Sequence, residues 1–380
     1  MKSLRIYGKR LFINGQDPEI AAMFDKLSVL EPYLKSGLNQ DLDGVLMIDE
    51  YQFIPNIDTT LKLIVDKHEK LKILCSGSSS LDVLQKVDES LAGRVRIIPV
   101  FSLSFEEYLR FVDEPMHEIY QSYSVDFPAA SIEPPIARYF EDFIIYGGLP
   151  RVALQSNYDE KRELLDDIYK TYLLRDIRAY VRNEDSVAFN RMLKLIAHQV
   201  GNLVNPHELS RTSGLTYRKA EEYLWLLEQM HILIMVEPYL SNARKSVVKM
   251  RKVFFTDNGL RNLIAGNLSA IDLRPDNGSL FESTMFLELR KLLPGSIPIR
   301  FFRSLEGSEI DFIAGSGDSS IALEIKYSDL SQPSGTAKLA RFAAAEGIKN
   351  PFLVNKNFTA THQDIQFLPG IMLGKMKFPV

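Results

Sequence analysis

Two places in this chain set acidic side chains at the end of a buried strand. Asp49 and Glu50 follow the apolar run Val45–Ile48, and Asp311 precedes a Glu324-x-Lys326 pair by twelve intervening residues. A strand buried on both faces ends at the carboxyl edge of its sheet, where ligands bind in open α/β folds. There Asp49 can hold Mg²⁺ through water and Glu50 can orient or deprotonate an attacking water. The plainer alternative is a strand that ends in solvated acids. In the second place, strand alternation puts Glu324 and Lys326 on one face. Two carboxylates there can hold Mg²⁺, and the lysine can polarise a water or a scissile phosphate. A pair of structural salt bridges is the competing reading.

Other candidates are less pointed. Ser76-Gly77-Ser78-Ser79-Ser80 follows the run Leu71–Cys75 and places hydroxyls where a γ-phosphate would be sensed. Arg218 and Lys219 begin a helix candidate, and Arg244, Lys245, Lys249, Arg251 and Lys252 lie in a stretch with no acid between Glu237 and Asp257. Such a patch can neutralise DNA phosphates or can simply be solvated, and Glu221 and Glu222 on the same helix weigh against DNA. Trp225, set among leucines, reads as a core residue. The six histidines are scattered, without paired spacing.

The elements that must carry these residues follow from periodicity. Over residues 1–110, Arg10–Asn14, Gly44–Ile48, Leu71–Cys75 and Val95–Val100 read as strands, alternating with helices over Ala21–Ser36, Thr59–His68 and Leu81–Val87. Such alternation implies a parallel sheet with right-handed crossovers. Residues 111–200 read as helical, including an amphipathic stretch over Glu160–Arg182, with Tyr146–Pro150 as a turn. Residues 201–265 read as two helices, Asn205–Arg211 and Thr216–Met230, then two strands joined by the basic loop; Asn205 before Pro206, and Thr216, are N-cap candidates. Strands and helices alternate again over 277–380. The fold class is therefore α/β with a helical middle.

Composition narrows the class. The 380 residues are 46% apolar and 25% charged, an ordinary globular balance. A net charge of −4 provides no global attraction to nucleic acid, so DNA affinity must come from a local patch. With one cysteine, Cys75, no intrachain disulfide and no cysteine-based zinc site is possible, which fits a reducing cytoplasm. No run of 18 apolar residues marks a membrane span, and the first residues lack a signal-peptide core.

Five segments in order, IDEYQFIPN, LKILCSGSSS, SLAGRV, LSFEEYL and YGGLPRV, resemble a large prokaryotic family of AAA-type ATPases with a carboxyl-terminal domain of unknown function. The resemblance implies Mg²⁺ and ATP as cofactors, Asp49 on the Mg²⁺ side, Glu50 as the catalytic acid, Ser78 as sensor and Arg94 as a candidate arginine finger. It also implies a strand, a GxxxxGK[ST] phosphate loop and a helix ahead of RLFINGQDPEI. No GxxxxGK[ST] stretch occurs in these 380 residues, so the sheet is expected to be an incomplete P-loop type with a gap in its middle, and ATP affinity is expected to be weak or lost. Residues 201–265 resemble a winged helix. Residues 277–380 resemble the PD-(D/E)XK restriction-endonuclease-like fold, which implies Glu282 as a helix-borne metal acid beside Asp311, Glu324 and Lys326. DNA, a protein partner or self-association are the partners so implied.

Overall fold

In the computed structural model, the residues described are 8–77, 95–173, 177, 180–239, 250–304 and 307–378. The chain divides into two compact units, residues 1–99 and 100–380.

The first unit is built on three parallel strands in the order β1 (Arg10–Asn14), β2 (Gly44–Asp49), β3 (Leu71–Cys75). Strand β2 is central, and Val45, Leu46, Met47 and Ile48 are all buried, as its uninterrupted apolar run requires. Helices Leu27–Gly37 and Ile57–Lys67 bury Leu30, Leu34, Ile57, Leu61 and Ile64 into the core of this unit. Two expectations need correction. The three strands pair side by side, so no gap opens between them; among the described residues β3 has a strand neighbour on one side only. Val95–Val100 forms no strand, and Val95, Ile97, Ile98 and Val100 are exposed. An apolar run becomes a strand only where a neighbouring strand offers its backbone groups. The helix expected over Leu81–Val87 lies outside the described residues.

The second unit wraps helices around a six-stranded mixed sheet. The order is β10 (Ala360–His362), β11 (Ile365–Pro369), β9 (Asn350–Asn355), β8 (Ile321–Ile325), β7 (Glu309–Ala314), β6 (Ile299–Arg303). Strands β6, β7 and β8 pair antiparallel, while β8–β9 and β9–β11 pair parallel. Helix Asn277–Leu292 covers one face and helix Ala337–Glu346 packs against the other side of β7–β9. One continuous core runs from Leu103 to Leu373, so the helical middle and the sheet share it. The Tyr120 hydroxyl, 251 residues away in sequence, donates to the Ile371 carbonyl at 2.8 Å.

The middle of the chain holds helices Pro206–Ser213 and Tyr217–Gln229 and the antiparallel pair β4 (Leu233–Val236) and β5 (Lys252–Phe255). The capping residues act as their types dictate: the Asn205 side chain accepts from His207 N at 3.0 Å and the Thr216 hydroxyl from Lys219 N at 3.3 Å. The amphipathic stretch from Glu160 is broken: an α-helix ends at Asp167 and continues as a π-helical segment Ile168–Leu173. The Tyr146–Pro150 turn is fixed by the buried Asp257 carboxylate, which accepts from Gly148 N at 2.9 Å and caps helix Asn258–Ala265. Gly147 has φ +75°, and a Cβ there would lie 2.2 Å from Asp257 Oδ1, so only glycine fits.

Candidate functional sites

At the rim of the first sheet, Asp49 closes β2 and Glu50 follows in the left-handed region, at φ 51° and ψ 41°. That turn is framed by neighbouring strand ends. Gly15 N donates to Asp49 O at 2.8 Å, Ser76 N to Ile48 O at 2.8 Å, and Tyr51 N to Ser76 O at 3.1 Å. The Ser76 hydroxyl hydrogen-bonds the Asp49 carboxylate, and Gln52 Nε2 donates to Glu50 Oε2 at 2.6 Å. Asp49 and Glu50 therefore do reach the carboxyl edge of a parallel sheet. The serine that meets Asp49 is Ser76; Ser78 and Arg94 lie outside the described residues.

The second acidic site is denser. Glu282 comes from helix Asn277–Leu292, Glu309 and Asp311 from β7, and Glu324 from β8, with Lys326 just beyond it. The Lys326 ammonium binds Glu324 Oε1 at 2.9 Å, so the two share a face as alternation predicts. Ile325 N donates to Asp311 Oδ2 at 2.7 Å and pins that carboxylate between the two strands. Glu324 Oε2 is buried and has no hydrogen-bond partner. Sequence reading brought together Glu282, Asp311, Glu324 and Lys326 but missed the cation at their centre. Lys252 of β5, 2% exposed, places its ammonium 3.0 Å from Glu282 Oε1, 2.6 Å from Glu309 Oε1 and 3.8 Å from Asp311 Oδ1.

The electrostatics follow from this crowding. Loss of water, then the neighbouring carboxylates, push Asp311 well above the ordinary carboxylate range, and desolvation raises Glu282 despite Lys252. Burial alone would lower Lys252; the charges of Glu282, Asp311 and Glu309 outweigh it and hold its pKa above that of a free lysine. Oxygen donors of this kind suit Mg²⁺. Among the described residues, however, no three acidic, histidine or cysteine side chains are arranged to hold a metal ion. At this cluster the carboxylates are disposed around an ammonium instead.

The nucleic-acid candidates separate. Arg218 is exposed on helix Tyr217–Gln229. Lys219 is engaged with Asp185 at 2.7 Å and Glu184 at 3.5 Å. Lys252 is inside the acid cluster, not on a phosphate-binding surface, and Arg251 pairs with Glu228 at 3.2 Å. Arg244, Lys245 and Lys249 lie outside the described residues. Trp225 is 53% exposed, against its reading as core: Ala220, Tyr223, Leu224 and Leu227 take the inward face, and Trp225 falls on the outer one with Glu221 and Glu222. No helix among the described residues is long and apolar enough to cross a membrane.

Residues 2–109 match the AAA domain family, residues 137–270 a domain of unknown function (DUF8612), and residues 277–369 a domain of unknown function (DUF4143). Similar curated proteins include an uncharacterized protein of Mycobacterium tuberculosis (24% identical over 288 residues, 75% of this chain and 59% of the relative). Another is from Haemophilus influenzae, 25% identical over 289 residues, covering 74% of this chain and 65% of the relative. A third, from Methanocaldococcus jannaschii, is 23% identical over 313 residues, covering 80% and 65%. The chain thus spans 59% to 65% of the length of these relatives. The AAA domain toward the amino terminus and DUF4143 toward the carboxyl terminus together support an AAA-type P-loop ATPase family for this chain.

Proposed function

We propose that the chain is an ATPase-like, DNA-associated protein in which these 380 residues carry the Mg²⁺-side rim of a nucleotide site and lack its phosphate cradle. The observation that carries the reading is the placement of Asp49, tied to Ser76, at the carboxyl edge of a parallel sheet within the segment that matches an AAA domain. Asp49 would hold the ion through water, and Glu50, set by its left-handed backbone and Gln52, would orient a water. Nucleotide phosphates draw most of their binding energy from a backbone N–H nest and a lysine, and no GxxxxGK[ST] sequence supplies these here. Isothermal titration of the purified 380 residues with Mg²⁺ and ATP is expected to give no saturable binding in the micromolar range; micromolar affinity overturns the reading.

A second reading is favoured by the cluster at Glu282, Asp311 and Glu324. The donor set, the unpartnered Glu324 Oε2 and the adjacent Lys326 support Mg²⁺-dependent phosphodiester chemistry of the PD-(D/E)XK kind in residues 277–380. Bound there, the ion would supply a Lewis acid. The protein's own part is to fix Asp311 through Ile325 N and to hold Lys326 beside the acid pair. Replacing Asp311 with Ala is expected to abolish Mg²⁺-dependent cleavage of a plasmid substrate while leaving the circular dichroism spectrum unchanged. Unaltered cleavage by the variant removes the assignment.

A further inference from the structure

The acid cluster of the second reading already contains a cation, and that cation belongs to another segment. Lys252 arrives on β5, whose backbone is fastened to residues ahead of the helix pair: Gly201 N donates to Val253 O at 2.9 Å and Val253 N to Asn202 O at 3.2 Å. The β4 side continues into the large sheet, with Tyr239 N on Phe301 O at 2.6 Å and Phe301 N on Glu237 O at 3.2 Å. The Lys252 ammonium then lies 5.5 Å from the centre of the Phe301 ring, and turns its donors to Glu282 and Glu309 with Asp311 at ion-pair distance. Those separations belong to N–H···O contacts. A magnesium ion needs oxygens at about 2.0–2.1 Å in near-octahedral array. The Lys252 ammonium occupies the space among Glu282, Glu309 and Asp311 from which an ion would draw those oxygens. The two cations therefore exclude one another.

We propose that Lys252 is a resident competitor for divalent metal: the cluster loads an ion only when the Lys252 ammonium leaves Glu282 and Asp311. Glu324 Oε2, buried with no partner, is the ligand atom that the ammonium leaves unused. Metal loading is thereby coupled to the β4–β5 pair, because displacing Lys252 loosens the only charged anchor of β5 described in that cluster. The inference rests on the metal-dependent reading of the carboxyl-terminal segment and adds its control.

Calorimetric titration of the full chain with Mn²⁺ tests both, using wild type, Lys252→Met, Glu324→Gln and the double variant. The expected result is roughly tenfold tighter binding by Lys252→Met than by wild type, the scale of an ordinary coupling between sites, and loss of that gain in the double variant. Equal affinity of wild type and Lys252→Met overturns the competition and leaves the metal reading standing. A gain that survives Glu324→Gln places the ion elsewhere and also overturns it. No binding by any of the four removes the metal reading and the inference together. Should Lys252→Met fail to fold, wild type alone decides: acylation of Lys252 by acetic anhydride, followed by mass spectrometry, is expected to be slow in chelator and severalfold faster in Mg²⁺. An unchanged rate refutes the displacement.

Discussion

Asp276 holds two buried arginines. Its carboxylate binds Arg261 at 2.6 Å and Arg274 at 2.9 Å, and neither guanidinium side chain is exposed. Arg261 also reaches the Ala197 carbonyl at 2.6 Å, and Arg274 the Asn267 carbonyl at 2.5 Å. Partial burial works to raise Asp276, but the hydrogen bonds and charges of Arg274 and Arg261 hold it well below the usual carboxylate range. A carboxyl whose folded pKa is depressed contributes stability above its unfolded value of about 3.9, and loses it as pH falls toward the folded value. Asp276→Asn is therefore expected to cost about 3 kcal/mol at neutral pH, since it strands buried charge. Urea unfolding of both proteins should show the difference shrinking as pH drops below about 4; a pH-independent difference would refute the ionic origin. None of this was legible in the sequence. Arg261, Arg274 and Asp276 have no periodicity that marks them as partners, and Ala197 is far away along the chain. Glu324 and Lys326 were legible as one face because strand alternation fixes where such side chains point, whereas Glu282 joined them and Asp311 only through the resemblance to the PD-(D/E)XK fold. Lys252 was read with the basic patch, as either a phosphate contact or a solvated charge, since a run of basic residues gives no sign of which lysine turns inward.

At the scale of elements, periodicity located those whose burial is local and failed where pairing decides. Strand β2 is apolar throughout and buried throughout. Helix Tyr217–Gln229 follows its i, i+3, i+4, i+7 pattern, with Thr216 as its cap. Trp225 was misplaced because the helix is apolar beyond its buried stripe, and the stripe had room only for Tyr223, Leu224 and Leu227 and their neighbours. Val95–Val100 has the composition of a buried strand, yet lies exposed without ladder partners. The acidic capping box at Ser104, in which Glu107 N donates to the Ser104 hydroxyl and Ser104 N to the Glu107 carboxylate, is the mechanism behind the LSFEEYL segment. That segment served as a resemblance at first and proves to be a helix start.

For the whole molecule, the two units each hold a core of their own. Residues 100–380 expressed alone are thus expected to unfold in one cooperative thermal transition, within a few degrees of the corresponding transition in the full chain. A broad, uncooperative melt would mean that the first unit completes the second. Cutting the second unit further is another matter, since Glu288 Oε2 accepts from Phe105 N across 183 residues and Lys291 donates to Leu103 O across 188.

The bond from Tyr120 to the Ile371 carbonyl has a consequence for synthesis. Contacts of such sequence separation close late, because loop entropy must be lost before they form. Helix Glu114–Ser122 waits, during translation, for some 250 further residues to emerge before its partner exists. Phe105 and Tyr108 find Phe140 and Phe143 within some forty residues, so what stays open throughout that interval is the side of Tyr120 that the carboxyl-terminal residues cover, a site that chaperones binding aromatic segments can reach.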